Sequence, residues 1–505
     1  MIKRVLVANR GEIAVRIIRS CREMGICTIA VFSEADRTAR HVLYADEAYC
    51  IGAAASAESY LHIDKIVETA VKHRADAIHP GYGFLSENSD FARKCEENGI
   101  IFIGPRPETM EVMGDKIKAR KQMISAGVPV VPGTEQPLGS VEEAIEKCRA
   151  IGFPVMLKAS MGGGGRGMRL VYNEKDVEDA FQTARSEAQS SFGDGTIYVE
   201  KYIENPHHIE FQILGDMYGN IVHLCERECS VQRRNQKIIE ETPYPFISDG
   251  TRAKMGRTAV IAAASVQYTG AGTIEFLVDK HQQFYFLEMN TRLQVEHPIT
   301  EEVLGIDLVK EQIRIADGEK IHFCQQDVTP RGHAIECRIC AEDTSADFRP
   351  SPGVIRQLTE PTGIGVRIDS FVYEGYEIPV FYDSMIGKLI VWATTREYAI
   401  ERMKRVLHEY KITGLKTNIP YLRSILDTAD FTAGKYDTGF IEKNAVILQS
   451  SSTENDEEAE NIAIIAAYID YIVNLEENSL TDRVNDNTPI NRWRNFGPQK
   501  GVLRI

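Results

Sequence analysis

Glu288-Met289-Asn290-Thr291-Arg292-Leu293-Gln294-Val295-Glu296-His297-Pro298 is the stretch that decides how this chain is read. Every second residue from 288 to 296 can ionise, bind a metal or donate a hydrogen bond. Side chains alternate faces in an extended segment, so Glu288, Asn290, Arg292, Gln294 and Glu296 are expected to line one surface. Two carboxylates, two amides and a guanidinium do not suit an apolar core. They suit a metal ion and an anionic reactant, the simpler alternative being a sheet face turned to water. Upstream, Gly272-Thr273-Ile274-Glu275-Phe276-Leu277-Val278 is a second carboxylate-bearing strand. A polar turn at Asp279 to Gln282 lets Gln283–Glu288 pair with it, which brings Glu275 near Glu288 and Asn290. Oxygen ligands from neighbouring strands match Mg²⁺, which takes one or two carboxylates plus substrate phosphates.

A phosphate partner for that metal is expected at Phe153-Pro154-Val155-Met156-Leu157-Lys158-Ala159-Ser160-Met161-Gly162-Gly163-Gly164-Gly165-Arg166-Gly167-Met168. An apolar run ends in Lys158 and a glycine loop follows. Glycines such as Gly164 and Gly165 let backbone N–H groups approach phosphate oxygens with no Cβ in the way. The spacing is not that of a P-loop, because no Gly-Lys-Ser/Thr opens a helix, and it is unlike the kinase loop. A glycine run alone also suits a hairpin tip; the flanking Lys158, Arg166 and Arg169 favour phosphate.

The 505 residues suffice for two to four structural units, and 43% hydrophobic with 26% charged residues is ordinary for a soluble protein. A formal charge of −15 argues against nucleic acid or an anionic membrane as partner, so any anion site is a local basic pocket. The ten cysteines are scattered. Cys337-Arg338-Ile339-Cys340 lies in a strand-like run with no second pair at zinc spacing, so reduced thiols in a cytoplasmic protein are expected. No signal peptide is read at the start. The apolar tail segment Ile462 to Leu475 contains Asp470 and is shorter than the ~20 residues of a spanning helix.

Val5–Ala8, Ile26–Phe32, Ala75–Ile78 and Ile100–Ile103 read as strands, with helical spacing at Ile13, Ile17 and Cys21 up to Gly25. This predicts a doubly wound, Rossmann-type parallel sheet. Its first turn, Asn9-Arg10-Gly11-Glu12, lacks the dinucleotide glycine fingerprint, which excludes a dehydrogenase. A helix over Lys116–Ala126 leads to a small α/β unit over about 131–203 that holds the glycine loop. The catalytic strands follow, then a second β-rich unit over about 331–445. An acidic linker at 450–458, an amphipathic helix through Ile462, Ile465, Tyr468, Ile469 and Ile472, and a segment with Trp493 and Val502–Ile505 complete the chain. That apolar helix face predicts docking, either on the chain's own core or, as the acidic linker favours, on a carrier or transferase partner.

Together with Val7–Ala14, His79–Asn88, Met113–Lys116, Glu226–Arg234, His333–Arg338 and Tyr382–Lys388, these segments resemble the ATP-grasp superfamily and, within it, the biotin carboxylases. The resemblance implies an α/β chain with a Rossmann-like preATP-grasp domain (1–115), an ATP-grasp domain (116–330, lid about 131–203), a β-rich C-terminal carboxylase domain (331–445) and a linker with a helical tail (446–505). It implies ATP- and bicarbonate-dependent carboxylation of biotin through carboxyphosphate, with Mg²⁺ or Mn²⁺ held by Glu275, Glu288 and Asn290. Lys116 and Lys158 would neutralise phosphate. Glu200, Lys201 and Ile203 would contact adenine, and His208 and Gln232 the ribose. Glu296 would be the general base, with no unusual pKa needed. Lys237, Arg292, Gln294 and the Val295 N–H would cradle bicarbonate, Arg338 would stabilise the biotin enolate, and Tyr82 would face biotin.

Two residues depart from the family pattern. Met161 stands where many members have a glycine, and Asn235 where many have a histidine; asparagine there resembles the propionyl-CoA carboxylase branch. No Ala-Met-Lys-Met-like biotinyl motif is present, so biotin is expected on a separate carrier protein, with a homodimeric assembly and a carboxyltransferase subunit as further partners. The implied context is an acyl-CoA carboxylase. The alternatives are a two-subunit pyruvate carboxylase, another ATP-grasp carboxylate–amine ligase, and a non-catalytic nucleotide-binding subunit.

Overall fold

Val5, Leu6 and Val7 are fully buried, as a run apolar on both faces requires, and they sit mid-sheet. In the computed structural model, which describes residues 1–134, 136–160, 167–448 and 462–472, they form β1 (Arg4–Val7). With β2 (Cys27–Ser33), β3 (Glu47–Gly52), β4 (Ala77–His79) and β5 (Ile101–Phe102) they make a parallel sheet of order β3-β2-β1-β4-β5. Helix α1 (Gly11–Glu23) buries Ile13, Ile17 and Cys21, and Gly25 (φ 71°) follows its end. Ligands of such sheets sit beyond the carboxyl ends of the strands. There Asn9 donates to the carbonyls of Pro80 and Tyr82 at 2.7 and 2.8 Å, tying the loop after β1 to the loop after β4. Gly81 is required in that contact: its φ is +65°, and a Cβ would meet Asn9 Nδ2 at 3.0 Å.

The expected small α/β unit is present. Strands β6 (Val155–Ala159), β7 (Met168–Val171) and β8 (Ile197–Lys201) form an antiparallel sheet of order β7-β6-β8. Helices Val141–Ile151 and Val177–Phe192 share with it a small core around Leu157 and Val199. Gly164 and Gly165, with Met161 and Arg166, lie outside the described residues.

The main sheet contains β9 (His207–Gly215), β10 (Ile221–Arg233), β11 (Gln236–Thr242), β12 (Gly270–Val278), β13 (Phe284–Asn290), β14 (His333–Cys340), β15 (Val366–Ser370) and β16 (Met385–Ala393), in the order β13-β12-β9-β10-β11-β14-β16-β15. The C-terminal strands thus continue the catalytic sheet, where the sequence predicts a β-rich unit of their own. Pairing β11 with β14 leaves neither strand with an unpaired edge. Strands β9 and β12 are two-faced. Ile209, Phe211, Ile213, Ile274, Phe276 and Val278 pack into one apolar core, while His208, Glu210, Gln212 and Glu275 turn to the other face and are buried as well.

The extended run predicted for 288–296 ends at Asn290. A loop follows, and Glu296 stands at the N-cap position of helix α2 (His297–Leu304). Pro298 fixes a helical φ and lacks an N–H, so it suits the first turn and stops the strand from continuing. All ten cysteines are unpaired; Cys337 and Cys340, three apart on β14, face opposite sides. The chain divides into two units, Met1–Leu448 and Gln449–Ile505. Within the second, residues 462–472 are helical, while the expected linker at 450–458 and Trp493 lie outside the described residues. Among the described residues no helix is long and apolar enough to cross a membrane.

Glu241 of β11 fastens the sheet to the C-terminal helices. It accepts from His333 Nε2 at 2.6 Å, from Arg396 Nε at 2.7 Å and from Tyr436. Burial pushes its carboxyl up, but His333 and Arg396 outweigh burial and hold it at about 2. The resulting stability is complete above the ordinary value of 4.5 and is lost as pH falls through about 2. Arg396→Met strands this carboxylate, so it should cost about 3 kcal/mol. Thermal unfolding at pH 7 checks it; an unchanged melting temperature would contradict the role of the ion pair.

Candidate functional site

The β12–β13 hairpin pairs Glu275 with Glu288 and Thr273 with Asn290, as the spacing predicts. Asn290 Nδ2 donates to Glu275 Oε1 at 2.8 Å. The other oxygen of Glu275 meets His208 Nε2 at 2.7 Å, and Gln232 Nε2 lies 2.6 Å from His208 Nδ1. His207, next to His208 in sequence, faces away toward Tyr244 and Glu228.

Lys237 of β11 is the centre of the site. Its ammonium donates to Glu210 at 2.5 Å, Glu275 at 2.9 Å and Glu296 at 2.7 Å. Strand β11 is placed by a two-residue hairpin in which Arg234 and Asn235 have φ of 51° and 65°. Two consecutive left-handed residues favour asparagine, which gives Asn235 a backbone reason for its identity. Arg227, fully buried on β10, donates to Glu210 at 2.5 Å and to Gln212 at 2.8 Å. Arg338 of β14 donates to Glu240 at 2.7 Å and to Glu296 at 3.0 Å. Arg292 leaves the strand end to meet Glu87 at 2.8 Å, Gln294 at 2.9 Å and the Asn290 oxygen at 3.3 Å.

These groups surround a cleft of about 770 Å³. Its lining includes Glu12 from the start of α1 and Tyr82 from the loop after β4, Glu288, Asn290, Arg292, Gln294 and Val295 from the hairpin and its loop, and Arg338 from β14. Of the residues predicted for the nucleotide end, His208 and Gln232 lie beside Glu275, while Lys158 and Glu200 pair with each other. Lys158 donates to Glu200 at 2.6 Å, and Arg120 holds the other oxygen of Glu200 at 2.9 Å. The Lys201 ammonium meets the carbonyls of Gly152 and Phe153 at 2.9 and 3.0 Å. Ile203 is half-buried beyond β8, and Lys116 is half-buried at the start of a helix capped by Asp115.

The charge balance shifts the pKa of Glu296, although the role of base needs no such shift. Burial pushes its carboxyl up, but Lys237, Arg338 and Arg227 outweigh burial and hold it well below the usual carboxylate range. Glu275 follows the same logic with Lys237 and His208. For Glu240 burial wins over Arg338, and its carboxyl rises to about 7. Burial also pushes the Cys229 thiol up, so its sulfur, 4.0 Å from Glu296, carries no charge at neutral pH.

Two trios, His208–Glu210–Glu275 and Glu210–Cys229–Glu296, are compact enough to hold a cation. The Lys237 ammonium already contacts both carboxylates of each trio. Glu275, Glu288 and Asn290 form an all-oxygen set at the cleft, the donor chemistry that Mg²⁺ takes, and Glu288 contributes a cleft-facing carboxylate.

Sequence reasoning missed Glu210, Arg227, Glu240, Glu87 and Lys388. The alternation His208-Glu210-Gln212 held the signal for the first. The others lie in or beside stretches of sequence chosen for their likeness to a family, with no chemistry assigned to them.

Comparison with known proteins accords with this geometry. Residues 1–110 match the family model "Biotin carboxylase, N-terminal domain", residues 115–323 "Carbamoyl-phosphate synthase L chain, ATP binding domain", and residues 336–443 "Biotin carboxylase C-terminal domain". The biotin carboxylase of Nostoc sp. is 56% identical over 440 residues, 87% of this chain and 98% of the relative. A pyruvate carboxylase subunit of Methanothermobacter thermautotrophicus is 55% identical over 443 residues, 88% of this chain and 90% of the relative. The biotin carboxylase domain dimer of Hydrogenobacter thermophilus 2-oxoglutarate carboxylase, solved with MgADP, ADP and bicarbonate, superposes with a TM-score of 0.85 at 50% identity, covering 89% of this chain and 99% of that one.

Lys237→Met would leave Glu210, Glu275 and Glu296 crowded with no ammonium between them. Their pKa values would rise above those of the unfolded chain, so folded protein would bind extra protons and lose stability as pH increases. The melting temperature of the variant should fall more steeply from pH 5 to 8 than that of the parent. Parallel curves would show that Lys237 does not balance the carboxylates.

Proposed function

The chain belongs to the biotin carboxylase family of ATP-dependent ligases, and we propose from that premise how its own residues divide the carboxylation of biotin by ATP and bicarbonate. The observation that carries the reading is the convergence of Lys237, Arg292, Gln294, Val295, Glu296 and Arg338 beside the Glu275–Glu288 hairpin. Bicarbonate needs a cradle for a planar anion and a base for its proton. Arg292 offers a guanidinium fork held open by Glu87 and Gln294, with Lys237 and the Val295 N–H as further donors.

Glu296 takes the bicarbonate proton. Its low pKa keeps it ionised, and its basicity increases as the incoming anion draws Lys237 and Arg338 away. The bicarbonate oxygen attacks the γ-phosphorus of ATP, ADP leaves, and carboxyphosphate forms. Carboxyphosphate then splits to CO₂ and phosphate. That phosphate removes the ureido proton of biotin, whose nitrogen attacks CO₂. Arg338 stabilises the enolate oxygen that exists only during this step. Lys116, Lys158 and the loop with Gly164 and Gly165 neutralise ATP phosphates. Glu200, Lys201 and Ile203 serve the adenine, His208 and Gln232 the ribose, and Tyr82 the biotin side. Glu275, Glu288 and Asn290 would hold Mg²⁺, which supplies charge neutralisation across the β- and γ-phosphates.

Biotin arrives on a separate carrier protein and leaves for a carboxyltransferase subunit. The dimeric Hydrogenobacter domain supports a homodimer, and ten unpaired cysteines support a cytoplasmic setting. An acyl-CoA carboxylase is the leading context. A two-subunit pyruvate carboxylase is the second reading, favoured by the archaeal relative.

Arg292→Ala and Glu296→Ala should each lower kcat by roughly 10²-fold, the usual scale for loss of an anion contact or a general base, while ATP binding barely changes. Glu288→Gln should raise the Mg²⁺ concentration needed for ATP cleavage. Steady-state kinetics with free biotin, with Mg²⁺ titrated, checks all three. Near-normal turnover in the first two variants would sink the assignment.

A further inference from the structure

Lys388 is fully buried, a costly position for an ammonium unless several partners meet it. It lies on β16 directly between Arg338 of β14 and Asp369 of β15. Its charge is met by Glu12 at 3.3 Å, on the first turn of α1, and by Asp369 at 3.9 Å. Asp369 is already held by Arg367 at 2.8 Å, and neither Glu12 oxygen completes a hydrogen bond. Lys388 donates instead to the backbone carbonyl of Val295 at 2.9 Å. Three chain regions distant in sequence therefore meet at one ammonium, and its donated hydrogen bond ends on the loop that lines the cleft.

That loop has no strand ladder to hold it. Glu87 anchors its beginning through the Thr291 N–H at 3.1 Å and Arg292 at 2.8 Å. Helix α2 anchors its end. Between these, Val295 carries both the N–H assigned to bicarbonate and the carbonyl that Lys388 grips. Fixing the carbonyl restricts ψ at Val295, and with it the path from Gln294 to Glu296. A methionine would fill the same volume and pack in the same place, but would offer no donor. We propose that Lys388, with its charge balanced by Glu12 and Asp369, is a positioning residue that fixes the Val295 backbone and so shapes the bicarbonate end of the cleft. The inference rests on the assignment of bicarbonate to the Arg292–Glu296 loop.

The test compares Lys388→Met, the charge-neutral pair Glu12→Gln/Lys388→Met, and Arg292→Ala in the full chain. KM for bicarbonate, KM for ATP, kcat and melting temperature are measured for each. The double variant buries no unbalanced charge at this junction, so it keeps the experiment decisive where the single variant unfolds. In both Lys388 variants the KM for bicarbonate should rise about tenfold or more, the scale of one hydrogen bond from a charged donor, while the KM for ATP stays put. A folded double variant with a normal KM for bicarbonate overturns the positioning role, provided Arg292→Ala raises that KM. Rises in both KM values that track a falling melting temperature also overturn it, since a purely structural lysine would behave so. If Arg292→Ala itself leaves the KM for bicarbonate unchanged, the anion site is misassigned and this inference falls with it.

Discussion

One ammonium among three carboxylates governs the catalytic face of the sheet. Lys237 touches Glu210, Glu275 and Glu296 within 2.9 Å. Two unit charges about 4 Å apart exchange about 4 kcal/mol at an effective dielectric of 20, so the three attractions to Lys237 are strong, yet one cation among three anions leaves a net charge of −2. Arg227 and Arg338 supply the missing charge, and Glu240, with its carboxyl raised to about 7, withholds a further negative charge at mildly acidic pH. The apolar faces of β9 and β12 keep these strands in register and the polar face out of water. Chemistry and stability are thereby coupled: the groups that would receive bicarbonate are those whose mutual attraction closes the floor of the cleft.

The loop after β1 shows why a Rossmann-type sheet carries no dinucleotide site here. A dinucleotide loop keeps its backbone bare with glycines so that pyrophosphate can approach. Asn9, Arg10 and Glu12 spend their side chains on junctions within the chain. Asn9 joins the loop after β4, Arg10 meets Asp36 at 2.6 Å and stacks 4.0 Å from the centre of the Tyr382 ring, and Glu12 faces Lys388. The first sheet thus acts as a wall of the cleft, locked to the C-terminal strands.

Local periodicity made part of this legible in sequence. The period-two pattern and the polar turn at 279–282 were sufficient to pair Glu275 with Glu288, because both lie in one hairpin. The same pattern misled beyond Asn290, where Pro298 commits the chain to a helix and Glu296 reaches the site from its N-terminus. Glu210, Arg227 and Glu240 escaped because their roles depend on a sheet order in which β12 lies beside β9 and β11 beside β14. The depressed pKa of Glu296 was hidden for the same reason: Lys237 stands 59 residues away, on a strand whose neighbours no local pattern reveals. Strand pairing between β11 and β14 crosses the boundary read near 331, where the family-model matches also break, between 323 and 336.

Coupled consumption of ATP separates biotin carboxylation from the other chemistries this cleft could host. ATP hydrolysis by the isolated chain should require bicarbonate and should accelerate when free biotin is added, because carboxyphosphate forms only from bicarbonate and its breakdown is drawn forward by biotin. Hydrolysis that proceeds equally in bicarbonate-free buffer, or that responds to an amine and not to biotin, would contradict the account.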